Sequence, residues 1–143
     1  MGISGISTGA VATASDVLFL GKSILLSASR TGTAASGDVA YTGAGFQPRT
    51  VVALADQTLR AGTIGFSVGF ADQALTEHDV LVYDQVSSAE SAVESYLVSL
   101  VDPASPSVSQ KATLKTLDAD GFTLNWDKSG AGAGGDLRFL CLG

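Results

Sequence analysis

The 143-residue chain has one cysteine, one histidine and three prolines, and charged residues make up only 15% of it. Each scarcity excludes something. A lone Cys141 forbids an intramolecular disulfide. With His78 as the sole histidine, no Cys/His set for a zinc or iron site can be assembled. Eight Lys and Arg stand against fourteen Asp and Glu, a net charge of −6. The basic residues are dispersed, with only Lys111 and Lys115 close together on one strand face. Nucleic acids are bound by basic side chains neutralising phosphates, so binding to DNA or RNA is not expected. No run approaches the roughly twenty apolar residues of a membrane-spanning helix. The first residues carry no basic stretch, and the run Val17–Leu20 is too short for a secretory signal. The expectation is a soluble protein made in a cytoplasm, with no membrane partner.

What is abundant is apolar or small: 45% hydrophobic residues and 17 glycines. This is far from the polar, highly charged composition of disordered chains, and the length suits one compact domain. A surface with few charges must be covered largely by Ser, Thr, Ala and Gly. Such a surface tolerates contact with other proteins, which predicts oligomerisation or assembly.

Two regions follow from the pattern. Residues 1–22 read as an extended N-terminal arm of Gly, Ser, Thr and Ala, with Ala10–Leu20 open between loop and a turn or two of helix. Residues 23–143 read as one β domain, with short β-branched and aromatic runs punctuated by Gly, Pro, Asp and Ser. Strands are expected at Ser23–Arg30, Asp38–Thr42, Thr50–Ala55, Thr63–Phe70, Val80–Tyr83, Tyr96–Val101, Lys111–Leu117, Phe122–Trp126 and Leu137–Leu142. Ser88–Glu94 is expected to be a helical turn or loop, since Glu90 and Glu94 lie one helical turn apart. The expected fold is all-β: an antiparallel, jelly-roll-like β-sandwich of about eight to nine strands. Alternation places Ile64, Phe66, Val68 and Phe70 on one face and Phe122, Leu124 and Trp126 on another, each expected to face the core. Gly65 and Gly69 leave the opposite face of their strand bare, so another backbone or a large aromatic can approach it closely. Asp118-Ala119-Asp120-Gly121 reads as a hairpin turn with a left-handed residue at Gly121.

Chemistry-bearing residues form no catalytic pattern. His78 lies between Glu77 and Asp79, but neighbours on a strand point to opposite faces, so an exposed or structural histidine is the better reading than a general base. Asp118, Asp120 and Asp127 offer carboxylates for calcium, yet Phe122 stands where the next ligand is needed, and a plain turn explains them. Cys141, in the apolar run Leu137–Leu142, reads as a small buried hydrophobe. The aromatics Phe46, Phe66, Phe70, Phe122, Trp126 and Phe139 read as core. No catalytic residue, cofactor or metal is expected. The candidate partner-binding residues are Ile3, Ile6 and Val11, the apolar side chains scattered in the arm, together with Tyr41 and Tyr83.

Three segments carry a family resemblance. They are Tyr41-Thr42-Gly43-Ala44-Gly45-Phe46-Gln47-Pro48-Arg49 leading into a strand, Gly65-Phe66-Ser67-Val68-Gly69-Phe70, and Leu117-Asp118-Ala119-Asp120-Gly121-Phe122-Thr123-Leu124-Asn125-Trp126, with Leu137–Gly143 closing the chain. Over roughly residues 30–143 this order resembles small β-sandwich structural proteins of tailed bacteriophages. A fainter similarity is to the H-type lectin sandwich, whose sugar-contacting residues have no match here. The resemblance implies a virion structural protein, above all a capsid decoration or cement protein. Such a protein binds the phage head through its arm and sandwich surface, with the major capsid protein or other virion proteins as partners, as a homo-oligomer such as a trimer. The alternative it leaves open is a receptor-binding, glycan-binding module at a tail tip or fibre.

Overall fold

The computed structural model describes residues 21–60, 63–85, 88–102, 105–130 and 134–143. The arm up to Leu20, with Ile3, Ile6, Val11 and the ambiguous Ala10–Leu20, lies outside the described residues. Ten strands follow: β1 (Ser23–Arg30), β2 (Gly37–Thr42), β3 (Thr50–Arg60), β4 (Thr63–Asp72), β5 (Glu77–Gln85), β6 (Ser88–Glu94), β7 (Val98–Asp102), β8 (Ser105–Asp118), β9 (Gly121–Lys128) and β10 (Gly135–Leu142). They form two antiparallel sheets, ordered β1-β10-β3-β4-β5-β6 and β2-β9-β8-β7. The protein is an all-β sandwich. The chain switches sheets between β1, β2 and β3, again between β6 and β7, and again between β9 and β10. From β3 to β6 it stays in one sheet as a meander.

The added strand is β6, where a helical turn or loop was expected from Ser88–Glu94. It pairs with β5 residue for residue, from Asp79↔Glu94 to Gln85↔Ser88. An isolated turn of helix fixes several residues for one hydrogen bond, whereas an open sheet edge offers a ladder. Pro106 lies within β8, but the stretch before Gln110 pairs with β7 alone, and pairing with β9 begins at Gln110↔Lys128. The proline is thus kept out of a strand position flanked on both sides.

The β8–β9 turn is the hairpin the sequence predicts. Asp118 pairs with Gly121, and Gly121 has φ 141°. A Cβ there would stand 2.0 Å from the Tyr41 carbonyl oxygen, so both the dihedral and the space require glycine. The Asp120 carboxylate accepts from the amides of Gly43 (3.1 Å) and Gly45 (2.6 Å), tying the turn before β3 to the hairpin.

The core lies between the sheets. Leu137, Phe139 and Cys141 of β10 and Val51, Ala53 and Ala55 of β3 meet Phe122, Leu124 and Trp126 of β9, all buried. Phe122 and Phe139 pack edge-on at 5.0 Å, and Tyr41 stacks on Phe122 at 5.2 Å. Such ring pairs add roughly 0.5–1.5 kcal/mol each beyond the area they bury. At one end Arg30 is buried with its guanidinium 4.0 Å from the Trp126 ring. It donates to Gln110 Oε1 (2.6 Å) and to the Ala35 carbonyl (2.8 Å).

Candidate interaction surface

The surface is set by how the two sheets touch. β7 is an edge strand of the four-stranded sheet, and its outer edge stands on the inner face of β3 and β4. Buried side chains from that face satisfy its backbone. The Val101 amide donates to Gln57 Oε1 (2.9 Å), Gln57 Nε2 donates to the Val101 carbonyl (3.3 Å), and the Ser99 amide donates to Ser67 Oγ (3.3 Å). An open strand edge is thereby closed without a further strand. The approach is so close that a Cβ on Gly69 would lie 2.0 Å from the Leu97 carbonyl oxygen.

The inner face of β4 therefore consists of Gly65, Ser67, Gly69 and Ala71, all buried. Strand alternation then sends the large residues outward. This reverses the expectation for β4: Phe66 is half-buried, Val68 exposed, and Phe70 is 52% exposed on the outside of the sheet. The expectation held for β9, whose Phe122, Leu124 and Trp126 are all in the core. Size alone pointed the β4 residues inward. The bare face and close approach expected at Gly65 and Gly69 were the signal that could have placed them correctly.

Register links these outward residues into one apolar band. Leu25 of β1 faces Leu140 of β10, which faces Val52 of β3, which faces Phe70 of β4. One step along, Leu54 faces Val68, and Val68 faces Val80 of β5. A further step brings Phe66 opposite Val82. Leu25 is 61% exposed and Val80 47%. The band runs obliquely from the start of β1 to β5. Ser23, Thr50 and Asp72, with Leu142 between Ser23 and Thr50, border it on one side, and Ser27, Arg138, Asp56 and Asp136 on the other. Contiguous exposed apolar surface of this kind marks sites of contact with another surface.

Of the sequence candidates, Tyr41 is described with its side chain, and it is not part of the band. Tyr41 is half-buried, held between Phe122 and Phe139, and its hydroxyl accepts from Trp126 Nε1 at 3.1 Å. Burial raises its pKa. The backbone of Tyr83 pairs with Gly65, while its side chain lies outside the described residues. His78 is exposed at the end of the band, its ring 6.1 Å from that of Phe70, and its neighbours Glu77 and Asp79 turn to the other face. Asp118 accepts from Thr123 Oγ1 at 2.7 Å. Lys111 pairs with Asp127 at 3.6 Å, and Lys115 pairs with Asp38. A surface cavity of about 360 Å³ is lined by Gln47, Pro48, Gln73, Leu75 and Lys115–Leu117. Neither tyrosine nor any aspartate contributes to it.

Two inward carboxyl groups of β5 are electrostatically unusual. Asp79 is buried beside Ser99, and burial pushes its carboxyl up to about 6. Both of its oxygens and the Ser99 hydroxyl are buried without a hydrogen-bond partner, and Glu94, its partner in register, adds repulsion. Glu77 is also raised, by burial first, although the Leu114 amide donates to its Oε2 at 2.8 Å. Cys141 is buried, and desolvation pushes its thiol up to about 11, which leaves it a poor nucleophile. Comparison with family models, curated proteins and solved structures returned no match.

Proposed function

We propose that this chain is a virion structural protein that works by surface fit, as a capsid decoration or cement protein on a phage head. The observation that carries the reading is the oblique apolar band on the six-stranded sheet. It offers a partner a ready hydrophobic surface on a rigid frame, bordered by polar residues. The low charge of the chain and its resemblance to phage β-sandwich proteins supply the setting. In this reading the partner is the major capsid protein, the arm adds contacts across neighbouring subunits, and the protein resides in the virion as a homo-oligomer.

The test is binding to expanded, undecorated heads of the phage that carries the gene. Val68→Lys and Val80→Lys put a charge on the band at exposed positions, so the fold should hold while occupancy of the heads collapses. Full occupancy by both variants would refute the band as the docking face.

A further inference from the structure

The inner side of β5 is built unlike that of its neighbours. Its described inward side chains are both carboxyl groups, Glu77 and Asp79, whereas Ala71 and Gly69 stand opposite them on β4. Asp79 is 1% exposed, and neither its oxygens nor the Ser99 hydroxyl of β7 beside it has a hydrogen-bond partner. A buried anion without a donor is among the costliest arrangements a fold can hold. A protonated carboxyl is not, since it carries a donor and an acceptor that a serine hydroxyl can complement. We infer that the β5–β6 pair is a proton-operated flap, closed on β4 and β7 when Asp79 is protonated and parting from them when Asp79 ionises. The topology permits it. β6 pairs with β5 alone, so the two can leave together while β1, β10, β3 and β4 stay paired.

The charges around Asp79 act in the same direction. Glu94 of β6 is its partner in register and repels it. Glu77, two residues earlier on the same face, accepts from the Leu114 amide of β8 at 2.8 Å. Glu90 stands opposite Tyr83, four residues along the ladder. The inward faces of β3 and β4 bring no charge, and on β7 the one charged residue is Asp102, three beyond Ser99. On β8, Lys111 stands opposite Ser99 in register, but it donates to the Tyr96 hydroxyl at 3.0 Å and pairs with Asp127 at 3.6 Å. Burial lifts the Asp79 carboxyl from 3.8 to about 6. The closed form thus binds the proton more tightly than the open one, and its advantage is complete below 3.8 and lost as pH rises through about 6. Val80 and Val82 lie on the outer side of the same strand. Opening therefore removes one end of the apolar band, and a surface seated on the band holds the flap shut. Docking and proton uptake then favour each other. That consequence rests on the function proposed above; the flap itself does not.

The test is hydrogen exchange of the full chain at pH 4, 6 and 8, in wild type and Asp79→Asn. Mass spectrometry reads it as protection factors, which divide out the pH dependence of intrinsic exchange. Low concentrations of urea separate two kinds of opening: exchange through global unfolding accelerates with urea, and exchange through a small local opening barely does. A detached two-stranded pair is marginal, so its amides exchange once the flap parts. From pH 4 to pH 8, peptides of β5 and β6 should lose about fiftyfold more protection in wild type than in Asp79→Asn. Their exchange should respond little to urea, while that of β10 responds steeply. An equal pH dependence in the two proteins overturns the role of Asp79. Exchange of β5 and β6 as steep in urea as that of β10 overturns the local opening, and this arm needs wild type alone. Head binding that survives Val68→Lys and Val80→Lys would remove the docking face and leave the exchange result standing.

Discussion

Replacing Asp79 by Asn should reverse its effect on stability between acid and alkaline solution. In the fold this carboxyl is lifted from 3.8 to about 6, chiefly by burial. Each pKa unit corresponds to about 1.4 kcal/mol, so keeping the anion buried costs the fold about 3 kcal/mol above pH 6. The sign follows from the direction. The folded state binds this proton more tightly than the unfolded chain does. Its stabilisation is therefore complete below the unfolded pKa and is lost as pH rises through about 6. Asn carries no charge at any pH, but it places an amide where one hydrogen-bond donor lacks a partner, a cost of about 1 kcal/mol. Asp79→Asn should then be about 1–2 kcal/mol more stable than wild type at pH 8 and about 1 kcal/mol less stable at pH 4. Urea unfolding at pH 4, 6 and 8, followed through buried Trp126, reads the difference. Glu77 and Glu94 are present in both proteins, so their titration largely cancels. A difference between the two proteins that does not change with pH would refute the account of Asp79 as a buried, desolvated acid.

Two further substitutions test the frame that orients the band. Gly69→Ala places a Cβ against the Leu97 backbone, which cannot move without β7, and should cost about 3 kcal/mol or more in urea unfolding. Val68→Ala, next to it but facing out, should change stability by less than about 1 kcal/mol, and equal losses at the two sites would contradict the assigned faces. Arg30→Met keeps an apolar stem beside Trp126 but removes the hydrogen bonds to Gln110 Oε1 and to the Ala35 carbonyl. A loss of about 2–3 kcal/mol in thermal unfolding is expected, and an unchanged melting temperature would contradict the buried network.

The strand pattern was legible because it depends on neighbours in sequence. Phe122 to Trp126 alternate, Asp118–Gly121 is a turn by composition, and Pro48 launches β3 from a buried position. β6 was not legible, because Ser88–Glu94 is a strand only through the edge of β5 that receives it, and that edge is a tertiary fact. Gln57 and Ser67 were illegible for a related reason. Nothing local distinguishes a buried polar residue closing a strand edge from one in water. Tyr41 was left open as a surface residue because the sequence pattern does not assign it to the core as it does the other aromatics. Its ring is held by Phe122 and Phe139, which come from strands far along the chain.

The inversion of β4 follows from one constraint, and it bears on function. Side chains alternate along a strand, so the face pressed against β7 and the face turned outward are chosen together. Gly69 admits no Cβ, so a one-residue slip that buried Val68 or Phe70 would drive a large side chain into the Leu97 backbone. The outward position of these residues is therefore fixed by the frame, but their apolar identity is not. Outward positions of the same sheet away from the band include Ser27, Ser29, Asp56, Asp136 and Arg138, and a folding requirement alone would be met equally well by polar residues at 68, 70 and 80. Val, Phe and Val there gain nothing from water and leave an adhesive face. Contact with a surface that covers that face gives their apolar identity a physical reason.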